Sequence, residues 1–188
     1  MRARKALLPD AEAIRALIAQ FSGDGTLLPR SLAEICENVR DFVVVERPPQ
    51  QRQQRSRQAG LGTPAGAGQI IGCGALHLYG THLAEIRSIA VDPSAQGLGA
   101  GKLLIQELLE EADVHHVSCV CLFTRIPKFF AHLGFSIAER ERLPDKIYKD
   151  CAICPRLLAC DEIAMYRGEL PHFAILEPAQ AELIKLTL

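Results

Sequence analysis

Three glycines, at positions 97, 99 and 101, follow an apolar run that ends at Asp92-Pro93 and open an amphipathic stretch that starts at Lys102. Glycines at a helix start leave backbone N–H groups bare. Those unpaired donors, together with the positive end of the helix dipole, suit phosphate oxygens. A ligand carrying a pyrophosphate is therefore expected at residues 96–101. The spacing discriminates between phosphate loops. A nucleotide-triphosphate loop needs Gly five residues before its Gly-Lys pair and Ser or Thr after it, but Gln96 and Leu103 occupy those places. A dinucleotide loop needs G-x-G-x-x-G, whereas this chain has Gly97-x-Gly99-x-Gly101.

Regular elements must position this loop. Helical spacing of Ile14, Leu17, Ile18 and Phe21 predicts a helix over 11–21, and Ser31 with Glu34 three residues on predicts a capped second helix. A strand is expected over 42–45, and two more over 70–79 and 83–91 form an antiparallel hairpin. The glycine loop leads into a helix over 99–112, followed by a buried strand over 117–123. With a helix between them, the strands before and after it are expected to run parallel through a right-handed crossover. A short helix at 127–133 and strands at 135–138 and 162–166 complete the pattern. Residues 47–69, rich in Pro, Gln, Arg and Gly, read as a disordered insertion in a hairpin loop without assigned function.

The chain has 188 residues, 48% hydrophobic and 23% charged, with a net charge of −1. That composition fits one globular domain and gives no basic field for nucleic acid or an anionic membrane. A small-molecule partner fits better. No run approaches the roughly 18 apolar residues of a membrane span, and residues 1–5 do not lead into a signal-peptide core. A cytoplasmic location is expected. Seven cysteines, an odd number, argue against a disulfide framework, and Cys119 and Cys121 read as small buried hydrophobes.

Gln96-x-x-Gly99-x-Gly101 after a strand and a Pro-containing turn resembles the acyl-coenzyme A loop of the GNAT N-acetyltransferases. The order of elements from about residue 3 to 167 is similar to that fold. The resemblance implies a mixed α/β (α+β) fold with a central twisted β-sheet flanked by helices and acyl-CoA at the splay between the fourth and fifth strands. It implies one domain over 1–167 and a tail over 168–188. Backbone at Gln96, Gly97, Leu98, Gly99, Ala100 and Gly101 would hold the pyrophosphate of acetyl-CoA. The strand edge at Ile89, Ala90 and Val91 would pair with the pantetheine arm. Phe130, in Phe129-Phe130-Ala-His-Leu-Gly-Phe, stands where many members carry the tyrosine that protonates the leaving thiolate.

Further stretches resemble the short, stand-alone N-acetylglutamate synthases of arginine biosynthesis. They are Leu27-Leu-Pro-Arg-Ser-Leu with Glu37-Asn-Val-Arg-Asp-Phe, Ala84-Glu-Ile-Arg-Ser-Ile-Ala-Val, and Leu143-Pro-Asp-Lys-Ile-Tyr-Lys-Asp-Cys-Ala-Ile-Cys-Pro running to Cys160-Asp-Glu-Ile-Ala-Met. The implied reaction is acetylation of the α-amino group of L-glutamate. Another amine or amino acid such as glutamine, or a non-catalytic acyl-CoA-binding module, remains open at this point.

An ammonium must lose a proton before it attacks a thioester, and Glu85 is the candidate base; a surface pair with Arg87 is the alternative. Period-two alternation would put Glu85 and Arg87 on one strand face with Ile89 and Val91. Substrate carboxylates call for fixed cations: the resemblance assigns Arg30, in Pro29-Arg-Ser, to that role, with a solvent-facing arginine at a helix entry as the alternative, and Arg87 and Lys146 are further candidates. The Thr124 hydroxyl is a candidate near the leaving thiolate, with capping of the next helix as its alternative. Cys151, Cys154 and Cys160 resemble an incomplete zinc set, and no metal is expected to be required. Leu183, Ile184, Leu186 and Leu188 suggest a homodimer contact through the tail.

Overall fold

A computed structural model describes residues 1–48 and 68–171. Seven strands form one mixed sheet: β1 (Arg2–Lys5), β2 (Phe42–Arg47), β3 (Gln69–Gly80), β4 (Leu83–Val91), β5 (Cys119–Thr124), β6 (Ser136–Ile137) and β7 (Ile163–Gly168), in the spatial order β1-β2-β3-β4-β5-β7-β6. The helices are α1 (Ala11–Ala19), α2 (Leu32–Glu37), α3 (Ala100–Val114), α4 (Pro127–Ala131) and α5 (Pro144–Lys149). β2 shows why the sheet is covered on both sides, since successive side chains of a strand point to opposite faces. Val43 and Val45 pack with Leu104, Ile105 and Leu108 of α3, while Phe42 and Val44 pack with Ile14 and Ile18 of α1 and Ile35 of α2. Beside the α1 layer, Leu83, Cys119, Cys121, Leu143 and Leu170 make a third cluster under the segment that carries α5. Cys119 and Cys121 are fully buried, as expected of small hydrophobes.

The second helix begins with the expected reciprocal cap. Ser31 Oγ accepts from the Glu34 amide at 3.2 Å, and Glu34 Oε2 accepts from the Ser31 amide at 2.8 Å. β4 and β5 run parallel on either side of α3, as the crossover argument requires. They pair only at Ala84↔Val120 and Glu85↔Cys121, so the sheet opens beyond Glu85.

Two strands differ from the sequence-based expectation. β1 carries no sequence signal, because Arg2–Lys5 has no apolar alternation. It is an edge strand held by β2 and by charge: Arg4 Nε donates to Glu46 at 3.0 Å, and Arg4 Nη1 and Nη2 reach Asp10 at 2.7 and 3.0 Å. The last strand runs to Gly168, and Leu170 is buried, so the domain continues past residue 167. The disordered insertion expected over 47–69 is narrower at its edges, where Arg47 and Gln69 pair as strand residues; its residues 49–67, and the tail contact suggested for Leu183 to Leu188, lie outside the described residues.

Asp10 also accepts the Leu7 amide at 2.8 Å. Burial opposes its charge, but the Arg4 and Leu7 hydrogen bonds outweigh that and hold its carboxyl below the ordinary 3.8. A depressed carboxyl stabilises the fold above its unfolded value and loses that contribution as pH falls through the folded one. Asp10→Asn should therefore cost about 1–3 kcal/mol near neutrality, with the gap to wild type closing below about pH 4; urea unfolding across pH measures both.

Candidate active site

The glycine loop lies between β4 and α3. Asp92 Oδ1 accepts from the Ser94 amide at 2.9 Å and from Ser94 Oγ at 2.6 Å, which shapes the turn after β4. Gln96 Nε2 ties the loop back to Val91 O at 3.3 Å. Gly97 and Gly99 have φ of +74° and +88°, a conformation costly for any residue with a Cβ. Within the loop the Gln96 amide reaches Pro93 O and the Leu98 amide reaches Ala95 O. The amides of Gly97, Gly99, Ala100 and Gly101 have no acceptor among the described residues. Those donors, at the head of the 15-residue helix α3, fit a pyrophosphate. The edge of β4 at Ile89, Ala90 and Val91 has no partner on β5, so an extended chain can add to it. Phe130 is 3% exposed, and its ring meets Phe129 and Phe135 edge-on.

A cavity of about 450 Å³ opens beside that seam, lined among others by Arg30, Glu85, Arg87, Thr124, Phe130 and Lys146. Glu85 is its buried acid, 3% exposed. Lys146 Nζ lies 2.8 and 3.0 Å from its two oxygens and 3.2 Å from Asp150 Oδ2. The Tyr79 hydroxyl sits between Glu85 Oε2, at 3.1 Å, and Asp150 Oδ2. Arg87 Nη1 is 4.0 Å from Glu85 and 3.7 Å from Asp150, and its Nη2 is 3.0 Å from His77 Nδ1. Burial pulls the Lys146 ammonium down, but Glu85 and Asp150 outweigh it and hold it above its ordinary value. Burial likewise pushes Asp150 up, yet Tyr79 and Lys146 keep it low. Burial, followed by the charges of Glu85 and Asp150, drives the Tyr79 phenol far above its usual range.

The expected strand face needs correction. Ala75 pairs with Arg87 but Cys73 pairs with Ala90, and Ser88 has φ of +55°. β4 therefore carries an extra residue there, a bulge. Ala84 and Ile86 pack on the α3 side before this bulge, and Ile89 and Val91 pack there after it. Glu85 and Arg87 therefore face the opposite side from Ile89 and Val91.

Arg30 reaches the cavity from the segment between α1 and α2, with Glu34 at 3.7 Å. Thr124 Oγ1 accepts from the Ile126 amide at 3.0 Å, leaving its proton free to donate. Cys151, Cys154 and Cys160 line the same cavity as free thiols, and burial raises that of Cys151. Among the described residues no group of three His, Cys, Asp or Glu side chains could hold a metal ion. The structure adds Tyr79, Asp150 and Arg140 to the site; sequence reasoning names Asp150 only as a neighbour of the cysteine set and gives none of the three a role beside Glu85. The spacing of Lys146 and Asp150, one helical turn apart, is the available signal for Asp150.

A sheet that parts after Glu85, with a glycine loop and helix at the gap, is the architecture of an acyl-transfer enzyme that seats its donor in the opening. The chain belongs to the GNAT acetyltransferases, and residues 60–137 match the family description "Acetyltransferase (GNAT) domain". It is 36% identical over 164 residues to an uncharacterized N-acetyltransferase of Chlorobaculum tepidum, covering 87% of this chain and 94% of that one. It is 31% identical over 147 residues to the amino-acid acetyltransferase of Mycobacterium tuberculosis, covering 78% and 75% respectively. A crystal structure from Mycobacterium tuberculosis in complex with CoA and NLQ superposes with a TM-score of 0.69 at 26% identity over 90% of this chain and all (100%) of that one. N-acetylglutamate synthase from Neisseria gonorrhoeae, complexed with coenzyme A and N-acetyl-glutamate, gives a TM-score of 0.70 at 25% identity, over 90% of this chain and 35% of that one. No helix among the described residues is long and apolar enough to cross a membrane.

Proposed function

We propose that the protein moves the acetyl group of acetyl-CoA to the α-amino group of L-glutamate, by direct attack of the amine on the thioester. The observation that carries this reading is a buried carboxylate, Glu85, at the point where β4 and β5 part, with Arg30 on the wall of the same cavity. The relative named amino-acid acetyltransferase and the neighbour complexed with N-acetyl-glutamate support the acceptor.

On this reading the free amides at 97–101 and the edge at 89–91 hold the donor. Glu85 takes one proton from the substrate ammonium, directly or through water, and the amine attacks the thioester carbon. A backbone N–H on the open edge of β4 supports the tetrahedral oxyanion. As the C–S bond breaks, the second proton lost by nitrogen accompanies the CoA thiolate. Phe130 cannot supply an acid for that step; Thr124, at the end of β5 on the wall of the same cavity, carries the candidate hydroxyl. Arg30 takes a carboxylate of the acceptor, while Lys146 and Arg87, already within reach of Glu85 and Asp150, add positive field at the acceptor end. The product would be the first intermediate of arginine biosynthesis, made in the cytoplasm.

Thiol release measured over the free amino acids tests the acceptor. Glutamate should be the best substrate, and Arg30→Ala should raise its KM about tenfold or more, the loss of one charge-assisted contact. No turnover with glutamate or glutamine would end this reading.

A further inference from the structure

We propose that Arg140 is a second carboxylate anchor of the acceptor pocket. The inference rests on the functional reading above and deepens it: with Arg30, Arg140 makes the pocket a receptor for a dicarboxylate.

The cations around the cavity are unequally committed. Lys146 is within 3.2 Å of both Glu85 and Asp150, and Arg87 lies near the same two carboxylates. Arg125 is held by Asp161 at 2.8 Å and by the carbonyls of Gly25 and Thr26. Arg140 also lines the cavity, yet no carboxylate of the described residues comes within about 4 Å of it, the reach of an ion pair. One nitrogen, Nη2, is occupied: it donates to Cys160 Sγ at 3.3 Å and to the Glu162 carbonyl. Nε and Nη1 have no acceptor among the described residues. The guanidinium is nonetheless fixed, because its carbon lies 5.4 Å from the centroid of the Phe123 ring, within the range of a cation–π contact.

The same ring carries Lys146 Nζ at 5.8 Å, so Arg140 and the group that grips Glu85 share Phe123 as one aromatic wall of the cavity. A guanidinium pinned by one nitrogen and a ring face, with its other donors free in a cavity, is preorganised for a carboxylate. Arg140 and the proposed base line one cavity, as an acceptor carrying both a carboxylate and an amine requires. Glutamate brings two carboxylates, and Arg30 and Arg140 are two cations on one cavity. An acceptor with a single carboxylate would leave one of them unmatched.

The test compares kcat/KM for glutamate, glutamine and isoglutamine, the last having its α-carboxyl amidated, in wild type and Arg140→Gln. One of the two amides lacks the carboxylate that Arg140 binds. Arg140→Gln should erode selectivity for glutamate over that amide about tenfold or more. An equal loss toward all three acceptors, or no loss, would overturn the proposal. Arg140→Lys keeps the charge but not the planar fork, so it should lose part of the same selectivity; unchanged selectivity there, with Arg140→Gln unable to fold, would overturn it too. Glutarate, a dicarboxylate with no amine, reads the anchor without catalysis. Its affinity by calorimetry should fall about tenfold in Arg140→Gln, and an affinity that is unmeasurable in wild type or unchanged in the variant counts against Arg140. Failure of wild type to acetylate glutamate or glutamine would instead refute the acceptor reading, and the glutarate result separates the two.

Discussion

Glu85→Gln should lower kcat for acetyl transfer by about 10²–10⁴, the usual worth of a positioned proton acceptor, while leaving acetyl-CoA affinity nearly unchanged. Glutamine has the size and shape of the side chain it replaces. It can still accept through its carbonyl oxygen from Tyr79 and Lys146, so the pocket should keep its form. What it loses is the capacity to take a proton from the incoming ammonium. The donor contacts proposed at 89–91 and 96–101 belong to other atoms, so calorimetric titration with acetyl-CoA should not move. This pairing also separates an enzyme from an acyl-CoA-binding module: a variant that binds the donor and retains full turnover across the pH range removes Glu85 from the chemistry.

Lys146→Met should be the most damaging single change to stability at the site, costing about 3 kcal/mol, because breaking one side of a buried pair strands the other. Here two acids, Glu85 and Asp150, would share Tyr79 with only Arg87 nearby as compensation. The sign of the pH dependence follows from the direction of each shift. Lys146 is held above its ordinary 10.5, so its contribution is fully present below about pH 10.5 and disappears as pH rises through the higher folded value. The difference between wild type and variant should be flat through neutrality and shrink in alkali. Asp150, kept below its ordinary 3.8 in part by Lys146, contributes above that value. Without Lys146 that depression is smaller, so the variant should lose less stability than wild type as pH falls below about 3.8, and the gap between them should narrow there too. Urea unfolding at intervals from about pH 2 to 11 reads both limbs, and a variant as stable as wild type at pH 7 would show that the cluster carries no net stabilisation.

Features set by neighbouring residues are legible in the chain itself. The turn at Asp92-Pro93, the glycines at 97, 99 and 101, and the Ser31–Glu34 cap all act within a few residues, so spacing and side-chain type suffice. The parallel pairing of β4 and β5 follows from the helix between them. β1 is hidden because its four residues carry three charges, and its place comes from partners at Asp10, Glu46 and Glu111 that no local pattern reveals. The acid cluster is half visible: Glu85 and Lys146 belong to distinctive stretches, but Tyr79 meets Asp150 across 71 residues. Arg140 falls in a polar stretch with no periodicity to give it a face. The bulge at Ser88 is invisible for a different reason, since nothing in Arg87-Ser-Ile departs from a regular strand.

That bulge means β4 works as two half-strands set back to back. Its first half shows its odd-numbered side chains to the acceptor cavity, and after one added residue its second half turns its odd-numbered side chains toward α3. An unbroken strand would have had to choose: either Glu85 reaches the acceptor, or Ile89 and Val91 anchor the glycine loop against the helix. The extra residue removes that trade-off. On the proposed reading the two halves can change separately: Arg87 can vary with the acceptor while Ile89 and Val91 keep their packing against α3.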